Sequence, residues 1–208
     1  MFRKALLAAG ALFALNVGAA HATVAIDAQG DFAPGFVGTD EDLDVLSFSA
    51  NYVAATSSYL LHATLAGAIN PLTGGQYVIG VNTGTGLNHP FGALGAPNVV
   101  FNQVMFVRKN GTGAIGANAL TPTISGSSFS VSVPVAFMPS TGFAVGDYTF
   151  NIWPRNGANQ IADFAPDNSM LSGVPEPKTW ALMFSGFALL GGAVRMRRRS
   201  TAAFARPA

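Results

Sequence analysis

Cysteine is absent from the 208 residues, which excludes disulfides, thiolate catalysis and cysteine-ligated metal sites. Charge is scarce as well, with Asp, Glu, Lys and Arg at 10% of the chain. Histidine occurs only as His21, His62 and His89, and none of them stands in an H-E-x-x-H or G-x-S-x-G setting. Paired carboxylates for glycoside hydrolysis would have to be assembled from distant loops, which spacing does not reveal. The chain thus offers no legible nucleophile, base or metal triad, and a non-enzymatic protein is expected. No stretch between the two ends keeps a helical period over three turns. What is plentiful is Gly, Ser, Thr and Asn, the composition of a neutral extracellular β domain.

The ends differ from the middle. Residues 1–22 have the three parts of a secretory signal peptide: Arg3 and Lys4, an apolar run from Ala5 to about Ala20, and Ala20-His21-Ala22 as a small-x-small cleavage site read by the secretion machinery. The mature chain is expected to begin at Thr23. At the other end, Pro175-Glu176-Pro177 precedes an apolar stretch over residues 179–194 and the basic cluster Arg195, Arg197, Arg198 and Arg199. Sixteen residues is short for a membrane span of about 20, and Arg195 can snorkel to the interface to make up the difference. Arg-rich flanks stay cytoplasmic, so the bulk of the chain is expected outside.

Those residues resemble the PEP-CTERM sorting signal: a Pro-Glu-Pro triad, a hydrophobic helix with an aromatic (Trp180) near its start, then an Arg cluster. The resemblance implies transient anchoring in the inner membrane and handling by an exosortase-type transpeptidase, which cuts near the triad and passes the protein to the cell surface or extracellular matrix. An ordinary C-terminal anchor is the plainer reading, with the same topology. The expected organisation is therefore signal peptide 1–22, β domain 23–172, sorting and transmembrane tail 173–200, and cytoplasmic tail 201–208.

Setting the ends aside changes the charge. Between Thr23 and Val174 nine acids face three bases, Arg108, Lys109 and Arg155, a net of −6. The sequence pI of about 8.1 belongs to the targeting segments. An acidic domain lacks the basic footprint that phosphate contacts need, so nucleic acid is not an expected partner. Cations and neutral glycans such as exopolysaccharide are compatible with it.

Periodicity predicts strands. From Ser128 to Phe137, the residues Phe129, Val131, Val133, Val135 and Phe137 alternate with small or polar ones, and Pro134, without an N–H, calls for an edge or a bulge. Alternation recurs over Leu46–Tyr52, Tyr59–Leu65, Tyr77–Val81, Val99–Val107 and Asp147–Trp153, with shorter candidates at Thr121–Ser125 and Ile161–Phe164. Asn70-Pro71, Gly74-Gly75, Asn110-Gly111 and Ser125-Gly126 mark turns. Many short strands with Gly-rich turns predict an all-β, antiparallel β-sandwich, flanked by a signal helix and one transmembrane helix. The stretch Asp27 to Asp31 and the run Asp42-Leu43-Asp44-Val45 also loosely resemble the openings of β-sandwiches related to carbohydrate-binding module family 9 and DOMON domains. That resemblance implies a fold and leaves the ligand open.

Three features suggest chemistry. Asp27, Asp31, Asp40, Asp42 and Asp44 crowd a loop-rich stretch that suits calcium, which takes six to eight oxygens from flexible loops; Asp163, Asp167 and Asn168 join if the termini meet. A solvated loop of turn-capping aspartates is the plainer reading. Gly111 to Gly116 formally fits G-x-G-x-x-G, but no helix follows, so a hairpin loop is expected. Trp153 beside Arg155 either stacks on a sugar ring or fills the core at a strand end. In addition, Asp31-Phe32-Ala33-Pro34 recurs as Asp163-Phe164-Ala165-Pro166, which a shared turn conformation or coincidence explains. The expected function is a structural or matrix protein of the exopolysaccharide or biofilm layer; the alternative is a glycan-binding module with a calcium-stabilised acidic loop.

Overall fold

Period-2 alternation puts one set of side chains on each face of a strand, so the fold follows from which faces are apolar. The structure is a computed structural model and describes residues 24–175. The segment expected to be a signal peptide, with Ala20 and Ala22 expected at its cleavage site, the rest of the expected tail from Glu176 and the Arg cluster lie outside the described residues. Within them are twelve strands: β1 (Val24–Ile26), β2 (Val45–Val53), β3 (Ser58–Leu65), β4 (Gly75–Asn82), β5 (Gln103–Arg108), β6 (Gly113–Ile115), β7 (Asn118–Leu120), β8 (Thr123–Ser125), β9 (Ser128–Pro134), β10 (Thr149–Asn156), β11 (Leu171–Ser172) and β12 (Val174–Pro175). Helical structure among the described residues is limited to three-residue 3₁₀ turns, and no described helix is long and apolar enough to cross a membrane.

The strands form two sheets. One has the order β1-β2-β3-β9-β8, with β12 added beside β2; the other runs β11-β10-β4-β5-β6-β7. Every pairing is antiparallel except β12 with β2. Phe48, Ala50, Leu61, Phe129 and Val131 from the first sheet share one buried cluster with Ile79, Met105, Phe150 and Ile152 from the second. Three buried tyrosines complete it and use their hydroxyls to hold loops: Tyr59 donates to the Val145 carbonyl (2.7 Å), Tyr77 to Asp42 (2.9 Å) and Tyr148 to Met138 (3.1 Å).

A second, smaller cluster covers the outer face of β4 and β10. Val78 and Trp153 pack there with Phe91, Ala96, Val99, Phe164 and Ala33, contributed by the chain between β4 and β5 and by segments near both ends. Gly80 makes the room: a Cβ there would sit 2.5 Å from the Trp153 ring. The outer face of the first sheet is different: its rows are hydroxyl-rich, exposed at His62, Thr123 and Ser125, half-buried at Ser47, Thr64, Ser128 and Ser130, and buried at Ser49. Ser47, Thr64, Ser128 and Ser125 stand opposite one another across four strands, and Ser49, His62, Ser130 and Thr123 form the next row.

The described chain begins and ends on one edge. β1 pairs with Ser47–Ser49 of β2, and β12 pairs with Asn51 and Tyr52 of the same strand. The pairing of Val174 and Pro175 places the first proline of the Pro-Glu-Pro triad in the sheet, beyond the domain boundary expected at residue 172.

Candidate metal centre

Three segments converge at one end of the fold. The loop after β1 carries Asp27 and Asp31, Asp44 precedes β2, and the chain after β10 carries Asp163 and Asp167. That last chain folds back along the edge of β10 as a broken strand, bridging Arg155 with Ile161 and Ile152 with Ala165 before β11. Asp163 sits in the interruption and reaches across to the other sheet: its carboxylate accepts the Val45 N–H at 2.8 Å and the Phe164 N–H at 2.7 Å. Asp44 accepts the Gly30 N–H at 2.8 Å. Ala33 donates to the Ala162 carbonyl at 2.8 Å, so the two Asp-Phe-Ala-Pro segments lie side by side and each delivers its aspartate to the same cluster. Asn151, wholly buried on β10, holds the following loop through the carbonyls of Pro166 and Ser169.

Carboxylate oxygens of Asp31, Asp44 and Asp163 lie within 4.8 Å of one another, and so do those of Asp27, Asp163 and Asp167. Asp163 belongs to both groups. No Lys or Arg pairs with these five carboxylates among the described residues, where the ion pair is Lys109 with Asp42. Their mutual repulsion is therefore uncompensated, and it acts in a poorly solvated place. Burial, with Asp27 and Asp31 nearby, pushes Asp163 up to about 8. Asp27 rises to about 7 through burial, then through Asp167 and Asp31. Asp44 and Asp167 are also raised, chiefly by burial. Two oxygens, Asp27 Oδ2 and Asp44 Oδ1, are buried without a hydrogen-bond partner.

The cluster opens on a cavity of about 90 Å³ lined by Asp31, Asp163 and Asp167. Small-molecule pockets hold roughly 300 Å³ or more. This one suits an ion with a few waters better than a substrate.

Two of the aspartates expected at the site are elsewhere. Asp42 is 7% exposed and accepts from Lys109, which also donates to Thr73 Oγ1, in a pair that links the turn before β2 to the turn after β5. Its second oxygen also accepts the Asn70 N–H, so its lone pairs serve the fold. Asp40 is exposed and opens the 3₁₀ turn before β2. Asn168 accepts the Asn98 N–H at 2.8 Å. Crowding in a loop-rich stretch predicts a shared site for Asp40, Asp42 and Asp44; the 3₁₀ turn over Glu41–Leu43 instead places Asp42 in the interior and Asp44 against the loop after β1. Of the two readings of Trp153, the structure fits the one that fills the core. It is 1% exposed and packed against Phe91 and Phe101 with ring centroids 4.9 Å away in each case, leaving no face for a sugar.

No protein-family model, curated protein or solved structure matches this chain.

The remaining expectations have simple outcomes. Gly111 to Gly116 forms the turn into β6 and the turn out of it, with no helix following. His62 is exposed on the hydroxyl-rich face, its Nε2 3.4 Å from Thr64 Oγ1, and His89 is exposed in the long chain between β4 and β5.

Proposed function

We propose that this chain is an exported, non-enzymatic structural protein of the cell surface or exopolysaccharide matrix, a β-sandwich delivered by a signal peptide and sorted by a PEP-CTERM-like tail. The observation that carries this reading is the placement of the two ends. β1 and β12 lie end to end along β2, so the described chain enters at Val24 and leaves at Pro175 on the same sheet edge. An exosortase-type transpeptidase in the inner membrane is the partner that the tail calls for. Localising the protein in cells with and without that enzyme, beside a Glu176→Ala variant, tests the reading: surface release is expected to fail in both cases, and unchanged release in both would overturn it.

A second reading, glycan binding, is supported by the outer face of the first sheet, where His62, Thr123 and Ser125 are exposed. Its cross-strand rows of serine and threonine present hydroxyls in register with His62 as the single titratable side chain of those rows, a surface matched to a neutral, hydroxyl-bearing polymer. Ser130→Lys, in the middle of the face, is expected to weaken retention on an exopolysaccharide column without altering the thermal midpoint. Unchanged retention removes this reading and leaves the structural one.

A further inference from the structure

We propose that the carboxylates of Asp31, Asp44 and Asp163 bind a calcium ion that clamps three distant segments of the chain together. The donors are three carboxylates whose oxygens lie within 4.8 Å of one another, a separation that fits oxygens on opposite sides of an ion with Ca–O distances of about 2.3–2.6 Å. The independent sign of a ligand is Asp44. This residue is 2% exposed, its Oδ2 takes the Gly30 N–H, and its Oδ1 has no partner. A buried carboxylate oxygen left unpaired among other carboxylates is costly, and a cation removes that cost at once.

The chemistry selects the ion. All donors are hard oxygens, and neither cysteine nor histidine is near, which disfavours zinc and copper. The ligands come from two loops and a broken strand, a flexible set that tolerates the higher and less regular coordination of calcium better than the strict octahedron of magnesium. The cavity lined by Asp31, Asp163 and Asp167 leaves room for waters to complete the shell. Asp27 and Asp167, next to Asp163, add negative charge that draws the cation in and offer outer oxygens to its waters.

The consequence is mechanical. Asp31 follows the first strand, Asp44 immediately precedes β2, and Asp163 lies along the edge of β10 in the other sheet, so the ion joins both sheets to the segments near both ends of the domain. Sites of this kind in extracellular modules bind in the range of about 10⁻⁴–10⁻³ M, which fills them outside the cytoplasm and leaves them empty within it. The clamp is a property of the folded domain and stands whether or not the tail is cut.

Isothermal titration of calcium chloride into the EDTA-stripped full chain in detergent, with magnesium chloride as the comparison, tests the proposal. At least one equivalent of calcium is expected to bind more tightly than magnesium, and the thermal midpoint is expected to rise by roughly 5–10 °C when calcium stands a hundredfold above its Kd. Asp31→Asn alters an exposed residue and so spares the fold; it is expected to weaken calcium at least tenfold, while Asp40→Asn, in the neighbouring turn, leaves binding unchanged. Absence of calcium heat together with an unshifted midpoint overturns the proposal. Equal calcium affinity in Asp31→Asn and the parent chain overturns it too.

Discussion

Replacing Lys109 with methionine tests whether the two sheets are tied as the structure describes. Lys109 is 3% exposed and Asp42 7%; the ammonium stands 2.8 Å from Asp42 Oδ2, 2.9 Å from Oδ1 and 3.0 Å from Thr73 Oγ1. Lys109→Met keeps most of the stem's apolar volume and removes the charge, leaving a buried carboxylate with only the Asn70 N–H. Stranding one member of a buried pair costs about 3–5 kcal/mol. For a domain of this size each kcal/mol moves Tm by roughly 2–4 °C, so a drop of roughly 6–20 °C is expected by differential scanning calorimetry. The double variant Asp42→Leu with Lys109→Met removes both charges, and because such replacements are often near neutral it is expected to regain most of the loss. A single variant that lowers stability by less than ~1 kcal/mol, or a double variant no better than the single one, would refute the buried-pair reasoning.

Trp153→Ala empties the centre of the outer cluster and is expected to cost about 3–5 kcal/mol by urea denaturation; Gly80→Ala, whose new methyl meets the Trp153 ring, is expected to cost about 1–3 kcal/mol by overpacking. Full stability in Trp153→Ala would contradict its burial. In chelator, pH has a definite sign: with Asp163 at about 8 and Asp27 at about 7 in the folded state against 3.8 unfolded, the folded chain holds more protons between these limits. The stability these groups contribute is present at low pH and is lost as pH rises through their folded values. The metal-free midpoint is therefore expected to fall from pH 5 to pH 8, and a flat or rising profile would contradict the carboxylate crowding.

Strand alternation was legible wherever one face meets solvent. Phe129, Val131 and Val133 point into the core as their spacing predicts, and Pro134 ends β9, after which Val135–Phe137 turns into 3₁₀ structure instead of continuing the strand. Residues Val131 to Pro134 have no partner on the β8 side, which is where a residue without an N–H is tolerated. The outer cluster was harder to see. Phe91 lies in a long irregular segment with no period, and Val99, where alternation predicts a strand to begin, belongs to the same segment because β5 starts only at Gln103; the cluster's trace in sequence is the unbroken apolar run Tyr77-Val78-Ile79, whose middle residue has to bury on the second face.

The acidic site was half legible for a related reason. Local crowding pointed to Asp27, Asp31 and Asp44, yet Asp42 lies within the 3₁₀ turn and pairs with Lys109 while Asp44 caps that turn and accepts the Gly30 N–H, and sequence spacing does not report this. Asp163 lies 118 positions from the N–H it accepts. Asp163 is expected to join only if the termini meet, and the repeated Asp-Phe-Ala-Pro is the signal that they do, because two copies of one short segment that meet in space bring the same side chain twice to one place.

Intact-mass spectrometry of the protein recovered from the cell surface tests the central claim, export with processing at both ends, most directly. The account predicts a chain that begins at Thr23 and ends near Pro175-Glu176-Pro177, lacking Arg195 to Arg199. A surface-recovered chain that retains residues 1–22, or that still carries the tail through Ala208, would contradict it.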